Sequence, residues 1–270
     1  MAVYSGATGG GANNYPLLAN EFTLGVPTPQ TLPTVSPSGG SGAAVTRYYC
    51  YTFMTALGEE SAPSPISLVQ TGKVDDTWAI SVMDTAPANS GTGTAAYTSV
   101  TTFTTAASAK HWLRVGDEIY FTAGAGIVTT LLHTVATVPS ATTFTVTGDY
   151  NTATAWSRKT AWNTTGMTKN LYRTSGSTGA FQLVNATGIA VATTTYDDTL
   201  TDVLIAGDDL VSTGWIPPPV DLAGLCVHPS GALVGFVNNL LCFSEPLQPH
   251  AWPTAYQLSS GFSGVGLGVY

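Results

Sequence analysis

Two short apolar runs, Ala232–Val237 and Leu240–Phe243, flank the dipeptide Asn238-Asn239. A two-residue connection closes an antiparallel hairpin best as a type I′ turn, which needs positive φ at both central residues, and Asn tolerates that region. The spacing therefore predicts a hairpin with Asn238-Asn239 at its tip. The chain leaves it through Ser244-Glu-Pro-Leu-Gln-Pro-His-Ala-Trp-Pro253, where Pro246, Pro249 and Pro253 stiffen the exit. Trp252 is the side chain there with most to gain from burial. No nucleophile stands beside a base, so the segment reads as one hairpin of a β-sheet unit with a rigid exit.

The rest of the chain has the same bias. Only 9% of the 270 residues are charged, against roughly 25% in ordinary globular domains. Thr, Gly, Ala and Ser fill the gap. Thr, Val and Tyr suit pleated sheets, Gly and Pro punctuate turns, and the polar helix formers Lys, Glu and Arg are scarce. The expected fold class is all-β. A surface so poor in charge invites association, which points to an exterior covered by neighbouring subunits. A hydroxyl-rich secreted domain is the alternative. With a net charge of −8 and only 8 Lys plus Arg, a strong phosphate-binding surface is not expected.

Strand-like runs divide the chain. Residues 1–45 read as an irregular arm, flexible at Gly9–Gly11 and Ser36–Gly42 and barred from regular pairing by Pro27, Pro29, Pro33 and Pro37. A core strand is predicted over Arg47–Ala56, apolar on both faces. Residues 74–165 read as a separate β module, with strands at Trp78–Val82, Tyr97–Thr105, Val115–Thr122, Thr134–Val138 and Thr143–Thr147, the last two separated by Pro139-Ser140. Strands resume at Asn170–Arg173, Phe181–Thr187 and Thr193–Asp197. Leu200–Leu210 carries the one plausible helical turn, Trp215–Pro219 is a stiff passage, and Val265–Tyr270 reads as a strand. The domain scheme is 1–45 as arm, 46–73 with 166–214 as a split sandwich, 74–165 as an insert, and 215–270 as a further sheet platform.

Patterns that carry chemistry are mostly missing. Cys50, Cys226 and Cys242 make neither a zinc pattern nor a disulfide framework, and are expected as reduced, buried, small hydrophobes. His111, His133, His228 and His250 are scattered. Ser230 and Ser244 lack a nucleophile elbow, and Gly9–Gly11 is not a phosphate loop. Carboxylates at Asp117/Glu118, Asp149, Asp197/Asp198, Asp202 and Asp208/Asp209 read as turns rather than a glycosidase pair. The Asp197–Asp209 group admits a Ca²⁺ loop, without the spacing of a known one. No cofactor, metal or catalytic residue is expected. No signal peptide is read at Met1–Tyr15, and no apolar run reaches the ~18 residues of a membrane helix.

Gly231–Pro253, GALVGFVNNLLCFSEPLQPHAWP, resembles a motif in tail proteins of short-tailed bacteriophages, the tail nozzle or tail tubular protein B group. Arg47–Pro65, RYYCYTFMTALGEESAPSP, is similar to the fibronectin-like strand and loop of these proteins. Leu171-Tyr-Arg-Thr174, followed by Thr195-Tyr-Asp-Asp-Thr-Leu200, resembles their later strands. Val115-Gly-Asp117 with the later Thr142–Val146 resembles small sandwich or barrel modules of phage particles. The residues carrying the family pattern are Tyr172, Arg173 and Asp198, and in the hairpin segment Asn238, Asn239, Ser244, Glu245, Pro246, Pro249, His250, Trp252 and Pro253.

This resemblance implies a fibronectin-like β-sandwich with an inserted β module, followed by the start of a β-propeller-like platform. It also implies a non-enzymatic virion protein in the phage tail. Such a protein forms a homo-oligomeric ring, six-fold in the family, around the DNA-ejection channel. Its partners are a tail adaptor or tube protein and, at its side, tail fibres. Genomic DNA passes without tight binding, and there is no membrane insertion. The alternative is a receptor- or carbohydrate-binding virion module, for which Trp156, Trp162 and Tyr150 near Asn151 are the available aromatic group. A polysaccharide-degrading tailspike is the third reading.

Overall fold

The computed structural model describes residues 2–4, 21–106, 109–174, 179–205 and 207–259. The fold is all-β. Among the described residues the single helical element is a 3-10 turn, Thr254–Tyr256, so the helical turn expected over Leu200–Leu210 is not formed. That stretch is instead drawn into turns that deliver Asp198 and Asp202 to buried arginines. The expected strand Val265–Tyr270 lies outside the described residues.

Two compact units are present. The first comprises Met1–Leu24, Pro87–Asn163 and Pro218–Ala223. Its centre is a closed antiparallel barrel in the order Glu118–Gly124, Leu132–Ser140, Thr143–Val146, Thr101–Thr105, Ser90–Tyr97 and Ala153–Arg158. Alternation builds its interior: Thr101, Phe103 and Thr105 point inward with Thr102 and Thr104 between them. Phe103 lies 5.3 Å from Phe144 and 5.7 Å from Phe121, and Trp156 meets Phe144 edge-on at 5.8 Å. Gly91, paired across the sheet with Trp156, gives the indole room; a Cβ there would fall 3.0 Å from its Nε1. Pro139 and Ser140 belong to the Leu132–Ser140 strand instead of interrupting it.

The second unit comprises Gly25–Ala86, Thr164–Pro217 and Gly224–Tyr270. Tyr49–Met54 pairs with Thr168–Thr174 over six residues, and the latter also pairs with Phe181–Leu183 and Ile189–Ala190. A facing sheet runs Tyr196–Asp198, Thr77–Ser81, Thr34–Ser38. Tyr49 and Trp78 meet between them with ring centroids 6.2 Å apart. Tyr49, Cys50, Tyr51, Thr52 and Phe53 are all buried, as a strand apolar on both faces requires.

Two expectations about this region need correction. Thr77–Ser81 was read as part of the inserted module, yet it is the middle strand of the sandwich sheet, and the first unit's middle segment starts at Pro87. The arm 1–45 was read as irregular, yet Thr34–Ser38 and Ala44–Arg47 are strands. Pro37 is tolerated because its strand is an edge, where a missing N–H costs no ladder bond. The Gly-rich tip is held rather than loose. Asp76 accepts from the N–H of Gly40 (2.6 Å) and Lys73 (2.5 Å), and Asp75 from those of Ser41 (3.0 Å) and Gly42 (2.7 Å). A Cβ at Gly40 would lie 2.6 Å from Asp75 Oδ1, which is why the clamp needs glycine.

The outer edge of Tyr49–Met54 is covered without a strand. Ser61, Ser64 and Ser67 donate their N–H groups to the carbonyls of Phe53 (2.9 Å), Tyr51 (2.8 Å) and Tyr49 (2.8 Å). Their hydroxyls accept in return from the same three residues' N–H groups at 2.9, 3.2 and 3.0 Å. Each hydroxyl then donates to the carbonyl of the next residue, Ala62, Pro65 or Leu68. Pro63 and Pro65 supply no N–H, so the serines at three-residue spacing supply both halves of each exchange.

The remaining sheet is a four-stranded antiparallel meander, Ala223–Val227, Leu233–Val237, Leu240–Phe243 and Gln257–Ser259. Val237 pairs with Leu240, so Asn238-Asn239 closes the hairpin as expected. Only Asn238 of the two has positive φ, 52°. That sign pattern belongs to a type II′ turn and not the expected I′. The meander is the one sheet of this kind among the described residues, and it does not by itself make a propeller.

Ser64→Ala should leave the buried N–H of Tyr51 without an acceptor and cost about 1–3 kcal/mol. Urea unfolding followed by tryptophan fluorescence measures it. A change within a few tenths of a kcal/mol would show that the serine ladder contributes nothing.

Candidate functional site

Residues of the family pattern fall into three connected clusters of the second unit. The first is ionic. Arg173 is fully buried; its Nε lies 2.8 Å from Asp198 Oδ2, its NH1 2.5 Å from Asp202 Oδ1, and its NH2 donates to Leu200 O at 2.8 Å. Asp198 is also fully buried and takes two further bonds, from Tyr49 OH (2.8 Å) and Leu200 N–H (2.9 Å). Arg47 NH2 reaches the same Asp202 oxygen at 3.0 Å, and its guanidinium sits 4.7 Å over the Trp78 ring. Burial raises the Tyr49 hydroxyl well above the usual tyrosine value, and the Asp198 carboxylate adds to it. The family resemblance points to Arg173 and Asp198, and Asp202 belongs to the carboxylate group of the Ca²⁺ reading; Arg47 and Tyr49 complete the cluster.

The second cluster joins Tyr172 to His250 through Glu60. Glu60 Oε1 accepts from Thr52 Oγ1 (2.6 Å) and Tyr172 OH (2.8 Å), while its backbone N–H donates to His250 Nε2 at 3.2 Å. Burial raises the Tyr172 hydroxyl, Glu60 reinforcing it, and pushes the Cys50 thiol up to about 12. Beside them, Glu59 accepts from Gly25 N–H and Thr55 Oγ1, both at 3.2 Å, and burial raises its carboxyl. His250 also meets the Trp215 ring edge-on at 5.5 Å. Burial lowers its pKa.

The third cluster locks the hairpin exit. Ser244 repeats the serine device: its N–H donates to Leu233 O (2.9 Å), its hydroxyl accepts from Leu233 N–H (2.8 Å) and donates to Glu245 O (2.9 Å). Glu245 N–H donates to Ala251 O at 2.8 Å, closing the loop over Pro246 and Pro249. Trp252 is 1% exposed; its indole N–H donates to Pro249 O (2.8 Å) and its backbone N–H to Ile216 O (2.9 Å). Pro253 accepts from Tyr256 N–H at the start of the 3-10 turn. Leu247 takes φ 61° and stands 80% exposed at the tip. The three-residue period of Ser61, Ser64 and Ser67 is the sequence signal of this device, and Ser244 shows the same exchange singly.

Lys169 is fully buried, donating to the carbonyls of Asp84 (2.6 Å) and Thr193 (2.5 Å), and burial brings its pKa down to about 8. With no solvent path to its amine, it ties strands together rather than offering a nucleophile. Among the described residues no three His, Cys, Asp or Glu side chains are grouped to hold a metal ion. Asp198 and Asp202, read as possible Ca²⁺ ligands, face guanidiniums instead. Of the aromatic group considered for carbohydrate stacking, both tryptophans are buried and Tyr150 is half-buried. Trp156 and Trp162 are each 1% exposed, and Tyr150 packs 4.3 Å from the His133 ring. These clusters bind strands and loops to one another; none presents a reactive atom to solvent.

Asp198→Ala should strand the Arg173 charge and cost about 3–5 kcal/mol. Replacing both partners with apolar residues should cost less than the two single changes summed, measured by urea unfolding in a double-mutant cycle. The pH response follows from His250 and from His111, whose Nδ1 accepts from Leu113 N–H at 3.0 Å and whose pKa burial also lowers. A folded-state pKa below the unfolded value of about 6.5 means the unfolded chain binds more protons. Stability from these groups is therefore complete above about pH 6.5 and falls as the pH drops toward their lower folded values. His250→Gln should flatten this acid loss; an unchanged pH slope would remove His250 as its source.

Comparisons with protein-family models, with curated proteins and with solved structures find no match for this chain.

Proposed function

We propose that this chain is a structural, non-enzymatic component of a bacteriophage tail, the nozzle ring at the distal end of a short tail that forms and gates the DNA-ejection channel. The observation that carries the reading is where the charges lie. All 8 basic residues are described, and Arg47, Arg158, Lys169 and Arg173 are buried. Only Lys73 and Lys159 are exposed, and Lys159 is tied to Glu118 at 2.6 Å. Glu21, Asp75, Asp149, Asp197, Asp208, Asp209 and Asp221 are exposed carboxylates. Such a surface repels phosphate. A channel that must release DNA quickly needs this, because each phosphate contact adds a salt-dependent brake.

Exposed apolar side chains add support. Leu57, Leu68, Val203, Leu204, Val211 and Leu247 are each more than 60% exposed. On a chain with so little charge they favour coverage by subunits of a ring and by an adaptor or tube protein, with fibres as a lateral partner. The family-pattern residues fit this role as internal fastenings, since they hold loops and strands rigid instead of facing a substrate. The ring is read as a hexamer from the family resemblance alone.

Two measurements test this. The copy number in an intact particle should be that of a ring, six in the family's arrangement. The assembled protein should bind duplex DNA weakly, with little change between low and physiological salt. A single copy per particle, or tight binding that weakens steeply with salt, would overturn the nozzle reading.

A further inference from the structure

We infer that the barrel unit carries a binding site for a neutral, polyhydroxylated ligand, chemically a sugar residue. This does not rest on the nozzle reading. Within the first unit is an open polar cavity of about 330 Å³, at the lower end of the roughly 300–1,000 Å³ of small-ligand pockets. Its working groups are Arg114, Asp117, Glu118, Thr134, Arg158 and Asp221. The floor is fixed. Asp117, 4% exposed, accepts from Arg158 NH1 at 2.8 Å and from Arg114 N–H at 2.6 Å. Both guanidiniums lie over the buried Trp162 ring, at 5.1 and 4.5 Å. Arg158 is further held by Nε donating to Thr160 O at 3.0 Å and NH1 to Trp112 O at 3.3 Å.

Against this fixed floor stand groups with bonding capacity left. Among the described residues Arg158 Nη2 makes no bond, while its other nitrogens are used. Glu118 Oε2 holds Lys159 at 2.6 Å, leaving Oε1 free to accept. Thr134 is the direct cross-strand partner of Glu118, so the two side chains leave the same face of the sheet from Cβ atoms about 5 Å apart. Asp221 adds an exposed carboxylate at the rim. The cavity thus offers donors from Arg158 and Thr134 and acceptors from Glu118 and Asp221. Vicinal hydroxyls, each both donor and acceptor, complement that mixture.

The charge balance decides the class of ligand. Two guanidiniums face three carboxylates, with Lys159 offsetting Glu118, so the net charge is near zero. A free oxoanion meets Glu118 and Asp221 at the entrance, and a divalent cation meets two fixed guanidiniums. An apolar ligand would leave these polar groups desolvated and unpaired, at about 1–3 kcal/mol each. A neutral polyol avoids all three penalties. Among the described residues no aromatic ring lines the cavity as a stacking platform, so affinity for a single sugar should be weak, in the millimolar range.

The test is saturation-transfer NMR and calorimetry on the full chain with free glucose, galactose, mannose, rhamnose and N-acetylglucosamine, and with inorganic phosphate and Ca²⁺ as charged probes. At least one sugar should bind saturably and neither charged probe should. Glu118→Gln, Thr134→Val and Asp221→Asn, all at partly or fully exposed positions, should each weaken binding roughly five- to tenfold, one hydrogen bond's worth, without lowering the melting temperature. Three results would overturn the inference: no sugar in the panel binds, phosphate or Ca²⁺ binds in preference, or sugar binding is unchanged in all three variants. Ring formation is read separately from copy number, so failure of this site and failure of the nozzle reading are distinguishable.

Discussion

Arg173 has no exposed surface, and its charge is held between two sheets by Asp198 and Asp202. Taking such an ion out of water costs several kcal/mol even after relaxation, and the pair repays this only when geometry and remaining hydrogen bonds are complete. Completeness here draws on distant parts of the chain: Tyr49 from one sheet, Asp198 at the end of a facing strand, the Leu200 carbonyl beyond it, and Arg47 sharing Asp202. None of these can move alone without exposing a buried charge to an apolar surrounding. The strand pairing of Tyr49–Met54 with Thr168–Thr174 and of Thr77–Ser81 with Tyr196–Asp198 is therefore specified by charge satisfaction as well as by hydrophobic burial.

The same scarcity of charge shapes how sheet edges are managed. Proteins commonly protect an edge strand with lysines or inward-pointing charge. This chain has only two exposed lysines and uses geometry instead. The barrel closes on itself and has no edge. The outer edge of Tyr49–Met54 is sealed by Ser61, Ser64 and Ser67, and in the facing sheet Thr34–Ser38 carries Pro37 at an edge position. Ser244 applies the same hydroxyl exchange where the hairpin leaves its sheet. Among the described residues the meander from Ala223 to Ser259 shows no such device: Leu225, Val227 and Leu258 are exposed on its outermost strands.

The all-β class was readable from composition because Thr-rich alternation and scarce helix formers point the same way. The Asn238-Asn239 hairpin was readable because turn chemistry is local. Thr77–Ser81 was misplaced because strand pattern says nothing of which sheet a strand joins; that depended on Trp78 stacking against Tyr49 and Arg47. The Gly-rich tip at Gly39–Gly42 looked loose because glycine's freedom is visible in sequence, whereas the Asp75 and Asp76 carboxylates that remove it come from more than 30 residues away. Ser90–Tyr97 escaped notice for a related reason. Its glycines weaken the strand signal, but Gly91 admits the Trp156 ring and Gly93 the close approach of the Thr104 backbone. Tyr172, Arg173, Asp198, His250 and Trp252 stood out by family pattern; their partners Glu60, Asp202 and Ile216 are joined to them only by folding.

Burying half the cations has a consequence outside the core. Each arginine or lysine used inside as a fastening is one removed from the surface, while most carboxylates not needed to pair with them remain outside. An acidic exterior thus follows from how the interior is held together and needs no separate device. A fold that fastens itself with Arg47, Lys169 and Arg173 withholds those three charges from its surface. In the barrel unit the balance differs locally: Arg114 and Arg158 reach a cavity wall, where Asp117, Glu118 and Asp221 offset them. There the field is nearly neutral, and hydrogen-bond complementarity, with little help from charge, is left to choose what binds.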